Sequence, residues 1–176
     1  MAVGMMFPAL ASAQFVGDVF FKNASVAVAQ GGTGQLELVS FAGTVPLGGY
    51  RVRLTFDETK LDIVEVKAGA AVEVAEGLTS HVGKGVLDVV AVNTKSTTKP
   101  IGTVSLFSVS VRPKLAAGSV IKIQTQILDL LNTNVQPFSA KRAFGADVVV
   151  TAPAAAARVV ALPPGPAAAK QAVSAG

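Results

Sequence analysis

The sequence contains no cysteine and no tryptophan, and only one histidine and one tyrosine. Without cysteine there is no disulfide scaffold, no thiol nucleophile and no cysteine-based zinc site. His81 has Ser80 beside it, but adjacent side chains on a strand point to opposite faces, so the pair is not a catalytic couple. The lack of tryptophan and tyrosine removes the stacking platforms with which glycosidases and aromatic carbohydrate-binding modules line their grooves. No motif among the eleven acidic residues marks a glycosidase pair. The reading is a non-enzyme, with polysaccharide contact at most indirect. Charge is also scarce, at 15% of residues against 51% hydrophobic. The net charge is +4, but Arg158 and Lys170 stand near the C-terminus where no acid lies, so the rest is close to neutral. Nucleic-acid binding needs clustered Lys and Arg, which are missing. Every run of about 18 residues is broken by a charge, Gly or Pro, so no transmembrane helix is expected.

What is present is apolar material enough for one sizeable core in 176 residues, with a mean hydropathy of +0.54. Residues 1–13 are apolar and end in Ala11-Ser12-Ala13, the pattern of a secretory signal peptide and its cleavage site. The basic start of such a peptide is missing, since the first cation is Lys22. The expectation is export, to the extracellular space, periplasm or cell envelope, with a mature chain from Gln14. Residues 14–151 form the expected domain. Residues 152–176 are mostly Ala, Pro and Val, and prolines 153, 163, 164 and 166 forbid a continuous helix, so this is a tail or linker. Its run Arg158 to Leu162 is either a docking strand or a spacer. Asn23-Ala24-Ser25 matches the N-glycosylation triplet, a pattern common by chance.

Between the ends the pattern is β. Tyr50, Val52, Leu54 and Phe56 alternate with Arg51, Arg53 and Thr55, the period of a half-buried strand. Further strands are read over Ser25–Val28, around Leu36 and Leu38, and over Leu61–Lys67, Val86–Val92, Thr103–Arg112, Ser119–Leu130 and Asp147–Thr151. Gly, Pro or Asn punctuates nearly every gap, and no window shows a helical stripe. The expected class is an all-β antiparallel sandwich or jelly roll of about nine strands.

The run Tyr50-Arg-Val-Arg-Leu-Thr-Phe-Asp-Glu-Thr-Lys-Leu-Asp-Ile-Val-Glu-Val-Lys-Ala-Gly69 resembles the signature of cohesin domains. There a strand ends in an aromatic-Asp-Pro turn, followed by Leu and a second strand. Phe56 and Asp57 hold the aromatic and acidic places, but Glu58 stands where Pro is usual and Phe56 where Tyr is more frequent. Ile101–Val111 and Ile123–Asn134 resemble two later strands of that family, so the resemblance covers roughly Ala24 to Val150. It implies an immunoglobulin-like sandwich related to carbohydrate-binding-module folds. It also implies a scaffold function: cohesins grip dockerins, small calcium-loaded helical modules, through one flat sheet face.

The resemblance places recognition on the strands matching Gly49–Phe56 and Val86–Val92. The expected partner-binding residues are Arg51, Arg53 and Thr55 on the first, and Asp88, Val90 and Val92 on the second. Cohesins often place a polar or acidic residue at the position that Arg51 matches, so this sequence departs from that pattern. An Arg stripe calls for an acidic partner, and two valines with a charged rim resemble an interface core. Asp57 is expected to build an Asx-type turn. Asp129, Asn132 and Asn134 offer oxygen ligands of the kind calcium takes, a weak metal candidate, but lack the EF-hand spacing and read rather as a turn cap; if calcium takes part, the resemblance puts it on the partner. The competing function is an assembly subunit that self-associates through sheet edges or the tail.

Overall fold

The computed structural model describes residues 14–69, 78–93, 99–139 and 141–153. The expected signal peptide and nearly all of the expected tail lie outside the described residues. Ten strands follow in order: β1 (Asp18–Phe21), β2 (Ser25–Ala29), β3 (Gly34–Gly43), β4 (Leu47–Thr55), β5 (Leu61–Ala68), β6 (Thr79–Gly83), β7 (Val86–Val92), β8 (Gly102–Pro113), β9 (Val120–Asn132) and β10 (Ala146–Thr151). None of the described residues is helical, and none forms a helix long and apolar enough to cross a membrane.

Two sheets pack face to face. One has the order β1-β3-β8-β5 and the other β2-β10-β9-β4-β7-β6. All pairings are antiparallel except β2 with β10, which is parallel. The sequence pattern missed β1 and β6 for clear reasons. Asp18-Val-Phe-Phe is buried at nearly every position, and every residue of β6 is exposed, so neither strand alternates.

Where alternation is strong, the core follows it. Tyr50, Val52 and Leu54 of β4 and Leu87, Val89 and Ala91 of β7 point inward and are buried. They meet Leu36 and Leu38 of β3 and Phe107, Val109 and Val111 of β8. The turn after β4 is the expected Asx turn: the Thr59 amide and hydroxyl both donate to Asp57 Oδ1, at 3.0 and 2.6 Å. Lys60 sits 2.8 Å from the other oxygen. Lys60, with the Thr59 bonds, holds the Asp57 carboxyl at a pKa of about 2. Leu61 then re-enters the core, fully buried.

Of five register shifts among the described strands, two reset which side chains face the core. On β8 the register jumps from Leu38↔Phe107 to Val39↔Ser105, so Leu106 is the extra residue. Leu106 and Phe107 are therefore both buried. The Leu106 carbonyl accepts from the Gly69 amide at 2.9 Å and, across the core, from the Tyr50 hydroxyl at 2.8 Å. Burial pushes the Tyr50 phenol well above its usual range, so it remains a neutral donor.

Ser40 of β3 is fully buried and its hydroxyl has no partner among the described residues. An unpaired buried hydroxyl is a net cost. Ser40→Ala is therefore expected to match or exceed the wild type in stability, by up to about 1 kcal/mol. Urea unfolding checks this, and a clear loss would mean the hydroxyl is satisfied after all.

A clasp closes one end of the sandwich. Asp18, buried on β1, receives two bonds from the Arg142 guanidinium, at 2.8 and 2.6 Å, and one from the Phe15 amide at 2.8 Å. The guanidinium carbon lies 4.3 Å from the Phe15 ring centroid and 5.5 Å from that of Phe144. The clasp ties the segment before β1 to the loop before β10.

Candidate partner-binding face

The outer face of β6, β7, β4 and β9 can be read in rows from the strand register. Gly49 lies between Val92 and Leu131, Arg51 between Val90 and Asp129, Arg53 between Asp88 and Gln126, and Thr55 between Val86 and Gln124. On the far side of β7, Thr79 stands beside Val90 and His81 beside Asp88. All six residues read from the sequence as partner-binding thus share one face. Arg51, Thr55 and Val92 are exposed, while Arg53, Asp88 and Val90 are half-buried.

The electrostatics differ from the sequence expectation of a cationic stripe. Arg53 pairs with Asp88 through two parallel bonds, Nε to Oδ1 at 2.7 Å and Nη2 to Oδ2 at 2.8 Å. The Arg53 bond holds the Asp88 carboxyl below its ordinary pKa. Arg53 is thereby neutralised within the sheet. The physical reason is register: antiparallel pairing sets Arg53 directly opposite Asp88. Arg51 remains exposed, with Asp129 opposite it and no ion pair to any described residue.

The second bulge creates that juxtaposition. Along β9, Ile121 and Ile123 point inward, and strict alternation would carry Asp129 inward too. The register jumps from Val52↔Ile127 to Arg51↔Asp129, leaving Leu128 as the extra residue. Asp129 is turned to solvent and Leu130 to the core. Of the three oxygen donors read as weak calcium candidates, Asp129 lies on the sheet face, while Asn132 and Asn134 lie at and after the end of β9. Asn132 Oδ1 accepts from the Asn134 amide at 2.9 Å and the Gln136 amide at 3.0 Å, capping the turn after β9. Among the described residues no three His, Asp or Glu side chains converge as a metal group.

Sequence reasoning missed the upper end of this face. At outward-facing Gly49 there is no side chain, and a Cβ would press on the Ala91 carbonyl at 3.1 Å. The adjacent Gly48 is needed for a different reason: a Cβ there would run into the Asn132 carbonyl, where β9 crosses close to β4. The result is a depression of about 460 Å³, with Val92, Leu131 and Val135 among its walls. The two adjacent glycines were its only sequence signal.

The opposite outer face, on β3 and β8, is polar and satisfied. Ser105 donates to Glu37 at 2.7 Å, Lys22 to Glu37 at 3.2 Å, and Gln35 to Ser108 at 3.1 Å. On the β6-β7-β4-β9 face, by contrast, exposed Val92 lies near Arg51 and Asp129, which make no ion pair among the described residues.

No protein-family model and no curated protein matches the chain. Solved structures do match. The third cohesin of ScaC from Acetivibrio cellulolyticus, in complex with the ScaB dockerin, superposes with a TM-score of 0.66 at 12% identity, over 77% of this chain and 99% of that one. This chain has a cohesin fold. A non-cellulosomal cohesin from the archaeon Archaeoglobus fulgidus is similar at TM-score 0.62 and 14% identity, covering 77% of this chain and 91% of its own. The cohesin CaCohA2 from Clostridium acetobutylicum gives 0.64 and 14%, over 77% and 92%. At these identities the likeness establishes the cohesin-like sandwich, and the docking face must be argued from this chain's own residues.

Proposed function

We propose that this cohesin-like domain is an exported, non-catalytic protein-binding module. It docks a dockerin-like partner on the outer face of β6, β7, β4 and β9. The observation that carries the reading is the row structure: Arg51 and Asp129, which make no ion pair among the described residues, lie beside Val90, Val92 and Leu131 on a continuous sheet face. Apolar side chains interleaved with charges that select the partner are a workable protein interface. The cohesin-like fold supports a protein-binding role, because several of its structural neighbours are cohesin–dockerin complexes. Export is supported by the Ala11-Ser12-Ala13 pattern, and N-terminal sequencing of the secreted chain tests it.

The test of docking is capture from the source organism's secreted and envelope fractions, with Gln14–Gly176 as bait, in calcium and in EDTA. A calcium-dependent partner with duplicated Asp-rich loops is the expected result. Arg51→Glu and Val90→Glu are each expected to weaken that capture at least about tenfold, the scale of a central interface residue. Capture by both variants at the wild-type level would overturn the face assignment.

One observation favours self-assembly as a second reading. Strand β6 is an edge strand, exposed at all five residues, with no second strand beside it among the described residues. Recovery of only the chain itself, indifferent to EDTA, with an oligomeric state that changes on deleting Ala152–Gly176, would favour it.

A further inference from the structure

The rows around β4 and β9 are complementary to themselves. We propose that this face pairs with the same face of a second copy of the chain, as a closed dimer whose two-fold axis runs along the strands, midway between β4 and β9. The dimer needs no other protein, so it stands or falls apart from the docking reading.

The first support is charge. Arg51 and Asp129 are exposed cross-strand neighbours of opposite sign, and neither makes an ion pair among the described residues. Asp88, on the same face, is already bound through both oxygens by Arg53. A half-turn about the line between the two strands exchanges the places of Arg51 and Asp129. It sets Arg51 of each copy over Asp129 of the other, so two ion pairs form from one operation. A long Arg meeting a short Asp suits the gap of about 10 Å between sheets packed face to face. No like charges meet elsewhere on these two strands, since Arg53 falls over Gln126 and Thr55 over Gln124.

The second is shape. The row next to the charges reads Val92, Gly49, Leu131 and Pro137 across neighbouring strands. The same half-turn reverses this row. Leu131 of each copy then stands over Gly49 of the other, where there is no side chain and a hollow of about 460 Å³ opens. Val92, 57% exposed, falls over Pro137, which is also exposed. A large side chain thus meets a hollow, and an apolar one meets an apolar one, at both ends of the row. Val135 lines the same hollow at 75% exposure with a φ of 61°. A β-branched residue in that backbone region is strained, and its side chain gains cover only when the hollow is filled.

Area sets the strength. An axis along the strands packs the two faces with their strands aligned, the ordinary geometry of sheet on sheet. The strip that faces itself is four strand positions wide and runs along β4 from Gly49 to Thr55, which strand spacing and rise make roughly 450 Å² in plan. Stable complexes bury about 800 Å² per partner. The dimer is therefore weak, with a dissociation constant on the order of 100 µM, and a tighter partner on the same face displaces it.

The test is sedimentation equilibrium of the purified full chain, from about 10 µM to about 1 mM. A reversible monomer–dimer equilibrium is the expected result. Arg51→Glu puts two acids on the paired positions and Asp129→Arg puts two cations there, so each variant alone is expected to associate at least about tenfold more weakly. Mixed in equal amounts, the two are expected to form a mixed dimer at least as tight as that of the wild type, because every acid again faces a cation. Leu131→Ala is expected to weaken the dimer several-fold, and Val64→Thr, on the other sheet, to leave it unchanged. A monomer at every concentration, wild-type association by either charge variant alone, or a mixture that stays monomeric would each overturn the proposal. So would growth beyond a dimer, which an open strand edge would give, or loss of the dimer on removing residues 154–176, which would make the tail the contact. A monomeric chain that still captures a calcium-dependent partner would remove the dimer and leave docking intact. A dimer with the expected charge behaviour and no captured partner would do the reverse.

Discussion

Replacing Arg142 with methionine is expected to cost about 3 kcal/mol of stability and to reverse the pH dependence contributed by Asp18. The energetic part follows from burial. Asp18 is 1% exposed, and its carboxylate depends on the guanidinium for two of three hydrogen bonds. Removing one partner of such a pair leaves an uncompensated buried charge, which costs about 3–5 kcal/mol. The lower end applies because Arg142 itself is nearly half exposed and screened by water.

The sign of the pH effect follows from the causes of the shift. The Arg142 bond lowers the Asp18 pKa most, burial raises it, and the Phe15 amide lowers it by less. In the wild type the net shift is downward. The clasp then contributes its full stability above the unfolded pKa near 4 and loses it as pH falls below that. Without Arg142, burial outweighs the Phe15 bond and the pKa rises above its ordinary value. Asp18 then favours folding at low pH, and that contribution is lost as pH rises through the raised pKa. Urea unfolding at a series of pH values from about 3 to 7 reads both effects. Asp18→Asn in the Arg142→Met background removes the stranded charge and is expected to recover part of the loss. A variant with the wild-type pH profile would show that the clasp is not what perturbs Asp18.

Phe107→Ala is expected to lose about 4 kcal/mol, within the usual range for a buried Phe. Phe107 is fully buried, and its ring stacks on Tyr50 with centroids 6.2 Å apart. It sits beside the Leu106 bulge, where the Tyr50 hydroxyl joins the two sheets. Bonded strands on either side limit collapse into the cavity, so the transfer and cavity costs both apply. A domain of ordinary stability, about 5–15 kcal/mol, would be left near its limit. Phe107→Leu keeps most of the volume and is expected to lose less than half as much. Denaturant unfolding measures both, and a loss below about 1.5 kcal/mol for the alanine variant would mean that the sheets close over the gap.

The sequence itself determined the fold class and most of the strands. Alternation in β4 and β7 is strong, and one buried face dictates register, so their inward and outward residues are where the pattern places them. The Asp57 turn was legible for a similar reason: the contacts of its carboxylate with Thr59 and Lys60 are local, within three residues. The same logic brought Arg51, Arg53, Thr55, Asp88, Val90 and Val92 to one face.

What sits opposite what was decided only by the tertiary structure. Arg53 is neutralised because β7 pairs beside β4 in one particular register, which gives half of the expected cationic stripe a partner. Asp129 faces solvent because a single extra residue, Leu128, resets the alternation of β9. The depression over Gly49 exists because Val92 and the segment from Leu131 to Val135, two distant parts of the chain, surround a position with no side chain on a third. Local sequence fixes which way a side chain points along its own strand. Cross-strand partners, bulges and hollows depend on the summed packing of many strands, and no short stretch of the chain encodes them.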